Sequence, residues 1–240
     1  MQPTLLYDSW IIAVKEWREW GGVRARIAWV VLIVLLAGWS ISAPHLLGGL
    51  DGGPLVVAIL SAAFPLALAG IMITDVLAGE RERHTLETLL ASRLPDRAIM
   101  LGKVIAVTVA GWVLLLLAML PGFFQHVFVK VAGYEQYDLR YLGAAAVTFG
   151  ALCIMLIVLL GALNSLYIAS ARFALLLTVM CVGSLVLGVS GLTAWWIMHQ
   201  DSTAVLPLIG GSILGLVILN GCLLAWLLLS GHRDRMLAIG

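Results

Sequence analysis

Six stretches of this chain contain no Asp, Glu, Lys or Arg: residues 27–50, 52–74, 104–129, 141–171, 173–200 and 202–232. Each can hold a helix of about 20 residues, the length that crosses a hydrocarbon core of about 30 Å. A soluble domain needs about 25 % charged residues to cover itself. Here 62 % of residues are hydrophobic and 11 % charged, so a soluble fold is excluded. Nucleic-acid binding, collagen-like, disordered and secreted disulfide-scaffold classes go with it. The apolar runs are unbroken rather than alternating, which selects helices over barrel strands. The expected fold class is all-α integral membrane, with transmembrane helices at about 27–46, 55–77, 101–123, 142–166, 172–190 and 205–229. Pro54 and Pro207 suit the first turns of the second and sixth spans, and Pro65 is expected to kink the second.

The few charges set the orientation. Six spans place Lys15, Arg18, Arg24, Arg26, Arg81, Arg83, Arg93, Arg97, Lys103, Arg172, Arg233 and Arg235 on one side, and Lys130 and Arg140 on the other. That asymmetry follows the positive-inside rule, so both termini are expected in the cytoplasm of a cell (inner) membrane protein. The first apolar stretch begins only at Ile27, behind a charged segment, so no cleavable leader is expected. External loops at 124–141 and 191–204 are short. They carry Phe124, Phe128, Tyr134, Tyr137, Tyr141, Trp195 and Trp196, the composition of an interfacial aromatic belt.

Residues 1–26 form a separate unit before the 27–240 transmembrane domain. At helical pitch Leu6, Trp10, Ala13, Val14, Trp17 and Trp20 share one arc, and Lys15, Glu16, Arg18 and Glu19 the other. Such a helix, with Trp10, Trp17 and Trp20 on its apolar face, is expected to lie in the membrane interface. Gly21 and Gly22 then offer a bend into the first span.

Charge is densest at residues 80–103, ERERHTLETLLASRLPDRAIMLGK, between spans two and three. Leu86, Leu89, Leu90 and Leu94 recur at helical spacing, up to a break at Pro95 and Asp96 where a new helix should start. An apolar-striped cytoplasmic helix of this kind either lies on the inner leaflet or fits a groove in a soluble partner.

This segment resembles the coupling region of exporter-type ABC transporter permeases, the type-2, six-helix family. Its members read E-R-E-x-G-T-L-E-x-L-L, a proline-containing turn, then I-L-L-G-K entering the third span. Glu80, Arg81, Glu82, Thr85, Leu86, Glu87, Leu89, Leu90, Ile99, Leu101, Gly102 and Lys103 match without a gap. His84 stands where the family has glycine, and Pro95 falls two places late. The resemblance implies a coupling segment at 79–98, containing a helix seated in a groove of an ATP-binding subunit. Leu86, Leu89 and Leu90 would be buried there, and Arg83 and Glu87, beside Glu80 and Thr85, would set the register. It further implies two such subunits carrying ATP and Mg, and a second permease copy, identical or homologous.

The chain itself lacks a phosphate-binding loop. Gly102-Lys103 is followed by Val104, and Arg97 stands where the first glycine of that motif belongs. No cofactor is expected on this chain. Gly188-Val189-Ser190-Gly191 matches the nucleophile motif of a six-span serine protease, but Ser190 has no histidine on a later span at its own depth, so a hydrolase is disfavoured. Cys153, Cys181 and Cys222 lie singly in apolar tracts, and the five histidines show no metal-ligand spacing.

An ATP-independent channel or secondary carrier is the main alternative. Such proteins place ionisable groups at mid-membrane depth, and none is expected here: Asp75 and Asp51 fall at span ends. Thr108, Thr148, Asn164 and Asn220, with Ser165 and Ser184, are the candidates for a polar pathway lining, and interhelical hydrogen bonds are the simpler use for each. The expected function is the permease of an ATP-driven exporter, moving a hydrophobic or amphipathic substrate such as a lipid, a drug-like molecule or a lipid-linked glycan.

Overall fold

The computed structural model describes residues 5–20, 53–79, 95–128, 139–168, 170, 172–181, 183–184, 188 and 205–230. These residues are helical apart from short connections, and no strand occurs among them. The elements are α1 (Leu5–Trp20), α2 (Gly53–Thr74), α3 (Asp96–Phe128), α4 (Leu139–Tyr167), α5 (Arg172–Cys181) and α6 (Val205–Ser230). A five-residue π turn, Asp75–Gly79, continues α2.

The charge-free tracts became these helices for the reason that made them readable: with no water to bond the backbone, each segment must satisfy its own N–H and C=O groups. Helix α2 runs through Pro65 without ending, and Pro54 and Pro207 stand in first turns as expected. Among the described residues, Arg97–Leu120, Val147–Tyr167 and Gly210–Leu229 are long and apolar enough to cross a membrane, and Ala63–Ala78 and Arg172–Cys181 are shorter apolar helices. The expected span at 27–46 lies outside the described residues. The loop expected at 124–141 is shorter than its sequence suggested, because α3 continues to Phe128 and α4 already begins at Leu139. The helix runs through Pro121 and Gly122, a pair that sequence reading takes as a stop, and FFQHVF beyond it contains neither residue. Tyr134, Tyr137, Trp195 and Trp196 lie outside the described residues.

Helices α2, α3 and α4 meet in a buried core that includes Leu66, Ala69 and Ile73, Val104, Val107 and Leu115, and Ile154, Ile157 and Leu159. Gly111 marks a close approach within this triangle. A Cβ there would fall 2.7 Å from Ile154 Cγ2 and 3.4 Å from the Ala69 Cβ, so only glycine lets the helices close. Two further helices flank the triangle: α1 packs along the start of α3, and α6 packs on α4. Helix α6 buries one stripe, Asn220, Leu223 and Leu227, at spacings of three and four, and turns Leu214, Val217, Ile218 and Trp226 outward.

Candidate functional site

The coupling residues read from the sequence, Glu80, Arg83, Thr85, Leu86, Glu87, Leu89 and Leu90, all lie outside the described residues. Both flanks of that segment are described. On the N-terminal flank, α2 ends with the Thr74 hydroxyl donating to the carbonyls of Gly70 (2.8 Å) and Ile71 (2.9 Å), followed by the π turn. On the C-terminal flank, α3 starts where the sequence placed it. The Pro95 carbonyl accepts from the amides of Ala98 (2.8 Å) and Ile99 (3.2 Å), and Asp96 is the first helical residue.

The two flanks are joined by a lysine. Lys103, on the second turn of α3, is fully buried, and its Nζ donates to the Val76 carbonyl in the π turn at 3.1 Å. A π turn is wider than an α turn and tends to mark functional positions in a helix. An ammonium at the C-terminal end of α2 also meets the negative pole of that helix. The same Nζ lies 3.4 Å from Glu16 Oε1 of α1, with both side chains shielded from solvent. Three elements from distant parts of the chain therefore converge on one cation.

Helix α1 forms where expected, but its faces differ from the sequence assignment. Glu16 was placed on the polar arc with Lys15, Arg18 and Glu19; in the structure it is buried with Ser9, Ile12 and Ala13. Leu6 and Trp10 of the membrane-facing apolar arc are exposed, whereas Ala13 of the same arc is buried. Periodicity found one apolar and one polar face, whereas α1 has three: one against α3, one apolar and outward, one charged. The contact face is selected by its partner. At Gly102 a Cβ would lie 2.6 Å from the Ser9 carbonyl oxygen and 2.7 Å from the Ile12 Cβ, so the backbones of α1 and α3 touch because this residue has no side chain.

The tryptophans hold the edge of this contact. Trp17 Nε1 donates to the Ala106 carbonyl at 3.1 Å, and Trp10 stacks edge-on against Trp17 with ring centroids 5.5 Å apart. Trp20 packs on the core cluster. Asp8 is also buried, in the first turn of α1 where a helix dipole favours a carboxylate.

The four proposed pathway residues serve different junctions. Asn220 of α6 is buried, and its Nδ2 donates to the Leu152 carbonyl of α4 (3.2 Å) and to Leu216 in its own helix (2.9 Å). Asn164 of α4 donates to the Thr178 hydroxyl of α5 (3.3 Å), which itself donates back to Ala174. Thr108 is buried on α3 and Thr148 is exposed on α4. Asn164 and Asn220 thus each make an interhelical hydrogen bond. Ser165 donates to Gly161 and Ser184 to Cys181, each within its own turn. Ser190 lies outside the described residues. The three cysteines are free thiols.

Glu16, Val76 and the burial of Lys103 escaped the sequence reading. One sign was present: a Gly-Lys pair at the head of an apolar span couples a close-approach site to a cation that the span must bury or pair.

Residues 42–220 match the family model described as ABC-2 family transporter protein, and the chain belongs to that family. No curated protein matches the chain. Family membership makes it the membrane component, the permease, of an ABC transporter and a multi-pass membrane protein, and it implies partnership with an ATP-binding subunit.

Proposed function

We propose that this ABC-2 family chain is the transmembrane subunit of an ATP-driven exporter for a hydrophobic or amphipathic substrate, such as a lipid, a drug-like molecule or a lipid-linked glycan. The observation that carries the reading is the family match over residues 42–220. It accords with these 240 residues containing no phosphate-binding loop, ATP and Mg being assigned in this reading to a separate ATP-binding subunit. Six spans with both termini in the cytoplasm of a cell (inner) membrane accord with the separation of basic residues. Six spans make half a pathway, so the working unit pairs this chain with a second permease, identical or homologous, and with two ATP-binding subunits.

The mechanism is alternating access. Closure of the ATP-binding subunits displaces the 79–98 coupling segment, where Leu86, Leu89 and Leu90 anchor in their groove, Arg83 and Glu87 fix the register, and Glu80 and Thr85 flank the contact. The two halves then rock about their interface. Such coupling requires the nucleotide-bound subunits to favour one permease conformation over the other, since equal affinity for both shifts nothing. The exposed apolar face of α1, with Leu6 and Trp10, rests in the inner membrane interface. Apolar helices with amide-to-carbonyl bonds between them suit an apolar cargo better than an ion.

The test is co-expression of the tagged chain with candidate Walker-type ATPase subunits, followed by purification in detergent and transport of a fluorescent lipid analogue in inside-out vesicles. The native chain is expected to retain the ATPase and move the probe only with ATP. Glu87→Arg combined with Leu89→Asp is expected to weaken retention about tenfold or more and to stop transport, with the spans still folded. Retention and transport unchanged in that double variant would overturn the coupling assignment. A native chain that moves the probe equally well without ATP is a channel or carrier instead.

A further inference from the structure

Taking a lysine ammonium and a glutamate carboxylate out of water carries a desolvation penalty of several kcal/mol per ion, and a well-packed apolar pair of the same volume is often equally stable or better. The Glu16–Lys103 pair is therefore not needed to make α1 adhere to α3, a contact that Ile12, Ala13 and the Gly102 notch already supply. What an apolar pair could not provide is direction. The ammonium contacts groups on two other elements: it lies 3.4 Å from the Glu16 carboxylate and donates to the Val76 carbonyl at 3.1 Å. Val76 and Lys103 stand on either side of residues 80–94 in the chain, so the bond closes the base of that segment.

We propose that Lys103 is a positioning residue, clamping α1, the C-terminal end of α2 and the start of α3 into one body, so that a displacement applied to residues 80–94 moves all three together. In any two-state mechanism such a body sharpens the response. A load at one flank cannot be absorbed by sliding α1 along α3 or by unwinding the π turn. Exposed charge could not do this, because water would exchange with either group; at full burial the cation has no such exit. The transmission role rests on the exporter reading above, and the clamp itself does not.

Two measurements separate these claims. The first uses the chain alone in detergent. Lys103→Met leaves the Glu16 carboxylate buried beside an apolar group and is expected to lower the Tm by about 10 °C. Glu16→Leu is expected to lower it less, since Lys103 keeps the Val76 carbonyl, and Glu16→Leu with Lys103→Met is expected to recover most of the loss. Additive losses in the double variant would overturn the clamp, whatever the chain transports.

The second uses the complex with its ATPase and spin labels at Lys15→Cys and Arg97→Cys, both exposed sites, with Cys153, Cys181 and Cys222 replaced by alanine. The distance between α1 and α3 is expected to stay constant between the nucleotide-free and ATP-vanadate states. In the stable Glu16→Leu, Lys103→Met background it is expected to broaden or shift, with ATP hydrolysis continuing and lipid-analogue transport falling about tenfold. A native distance that changes with nucleotide, or full transport in the double variant, would overturn the positioning role. Failure of the native chain to retain an ATPase would remove the exporter reading while leaving the first measurement decisive for the clamp.

Discussion

The junction where α3 meets the end of α2 and α1, and the junction of α4 with α6, use the same device on different terms. Each seats one buried polar side chain against a backbone carbonyl of another helix, Lys103 on Val76 and Asn220 on Leu152. At the first junction the polar group is an ion, it gathers a carboxylate from a third helix, and a glycine notch brings two backbones into contact. At the second the polar group is a neutral amide beside Leu223 and Leu227, and Gly210, Gly211, Gly215 and Gly221 of α6 have open space where a Cβ would go. Helix α6 is as apolar as α4, yet only 17 % of its Gly210–Leu229 stretch is buried against 56 % of Val147–Tyr167. Apolar composition therefore brings a helix into the membrane without deciding how firmly it is held there. A few contact residues decide that.

The largest expected difference lies between glycines. Gly102→Leu pushes a side chain into the Ser9 carbonyl and the Ile12 Cβ, backbone and near-backbone atoms that cannot step aside. It is expected to cost about 3 kcal/mol, the upper end of overpacking, and to release α1, read as lost protection of Leu5–Trp20 from proteolysis. A Cβ at Gly215 on α6 meets nothing within 4 Å, and Gly215→Leu is expected to leave the melting temperature unchanged. Equal losses in the two variants would erase the distinction between a notched and an open helix.

Next comes the apolar stripe of α6. Leu227 is 1 % exposed, whereas Leu219 is 46 % exposed on the same helix. Leu227→Ala opens a cavity against the core and is expected to cost about 2 kcal/mol. Leu219→Ala exchanges one outward apolar group for another and is expected to cost under about 0.5 kcal/mol. The ratio, read by thermal unfolding in one detergent, measures how much of the α4–α6 junction is packing. Asn220→Leu then measures its polar part. Interhelical hydrogen bonds within a membrane average about 0.6 kcal/mol, and the substitution also removes a buried amide oxygen that has no hydrogen-bond partner among the described residues. A change within about 0.6 kcal/mol is expected, far below that of Lys103→Met.

These contrasts show what the amino-acid sequence could convey. The extents of α2, α3, α4 and α6 were legible because a membrane leaves a helix one way to satisfy its backbone, and charge marks where that constraint ends. The break at Pro95 and Asp96 was legible because proline cannot continue the preceding helix. The face of α1 was not. Periodicity assigns Glu16 by its polarity, but burial was decided by Lys103, 87 residues later, and no local pattern carries that distance. Asn164 and Asn220 were recognisable as polar groups in apolar tracts, while their acceptors, Thr178 and the Leu152 carbonyl, depend on which helices become neighbours.

The smallest effect is the sharpest test, because α1 carries two ion pairs on adjacent residues at the same separation. Lys15 and Glu19 approach to 3.4 Å with side chains 52 % and 55 % exposed, and Glu16 and Lys103 approach to 3.4 Å with side chains 4 % and 0 % exposed. Distance alone would make them equivalent. Water makes the difference: an exposed i,i+4 pair contributes about 0.3–0.5 kcal/mol, and salt screens exposed charges with a Debye length near 8 Å at physiological ionic strength and about 3 Å at 1 M. Lys15→Ala is therefore expected to lower stability by no more than about 0.5 kcal/mol in dilute buffer and by nothing measurable at about 1 M NaCl. The destabilisation caused by Lys103→Met is expected to be the same at both salt concentrations, because its charges have no solvent between them to carry counterions. If salt reduced the Lys103→Met effect in parallel with that of Lys15→Ala, water would reach the Glu16–Lys103 pair, and an ammonium in exchange with water could not hold three helices in register.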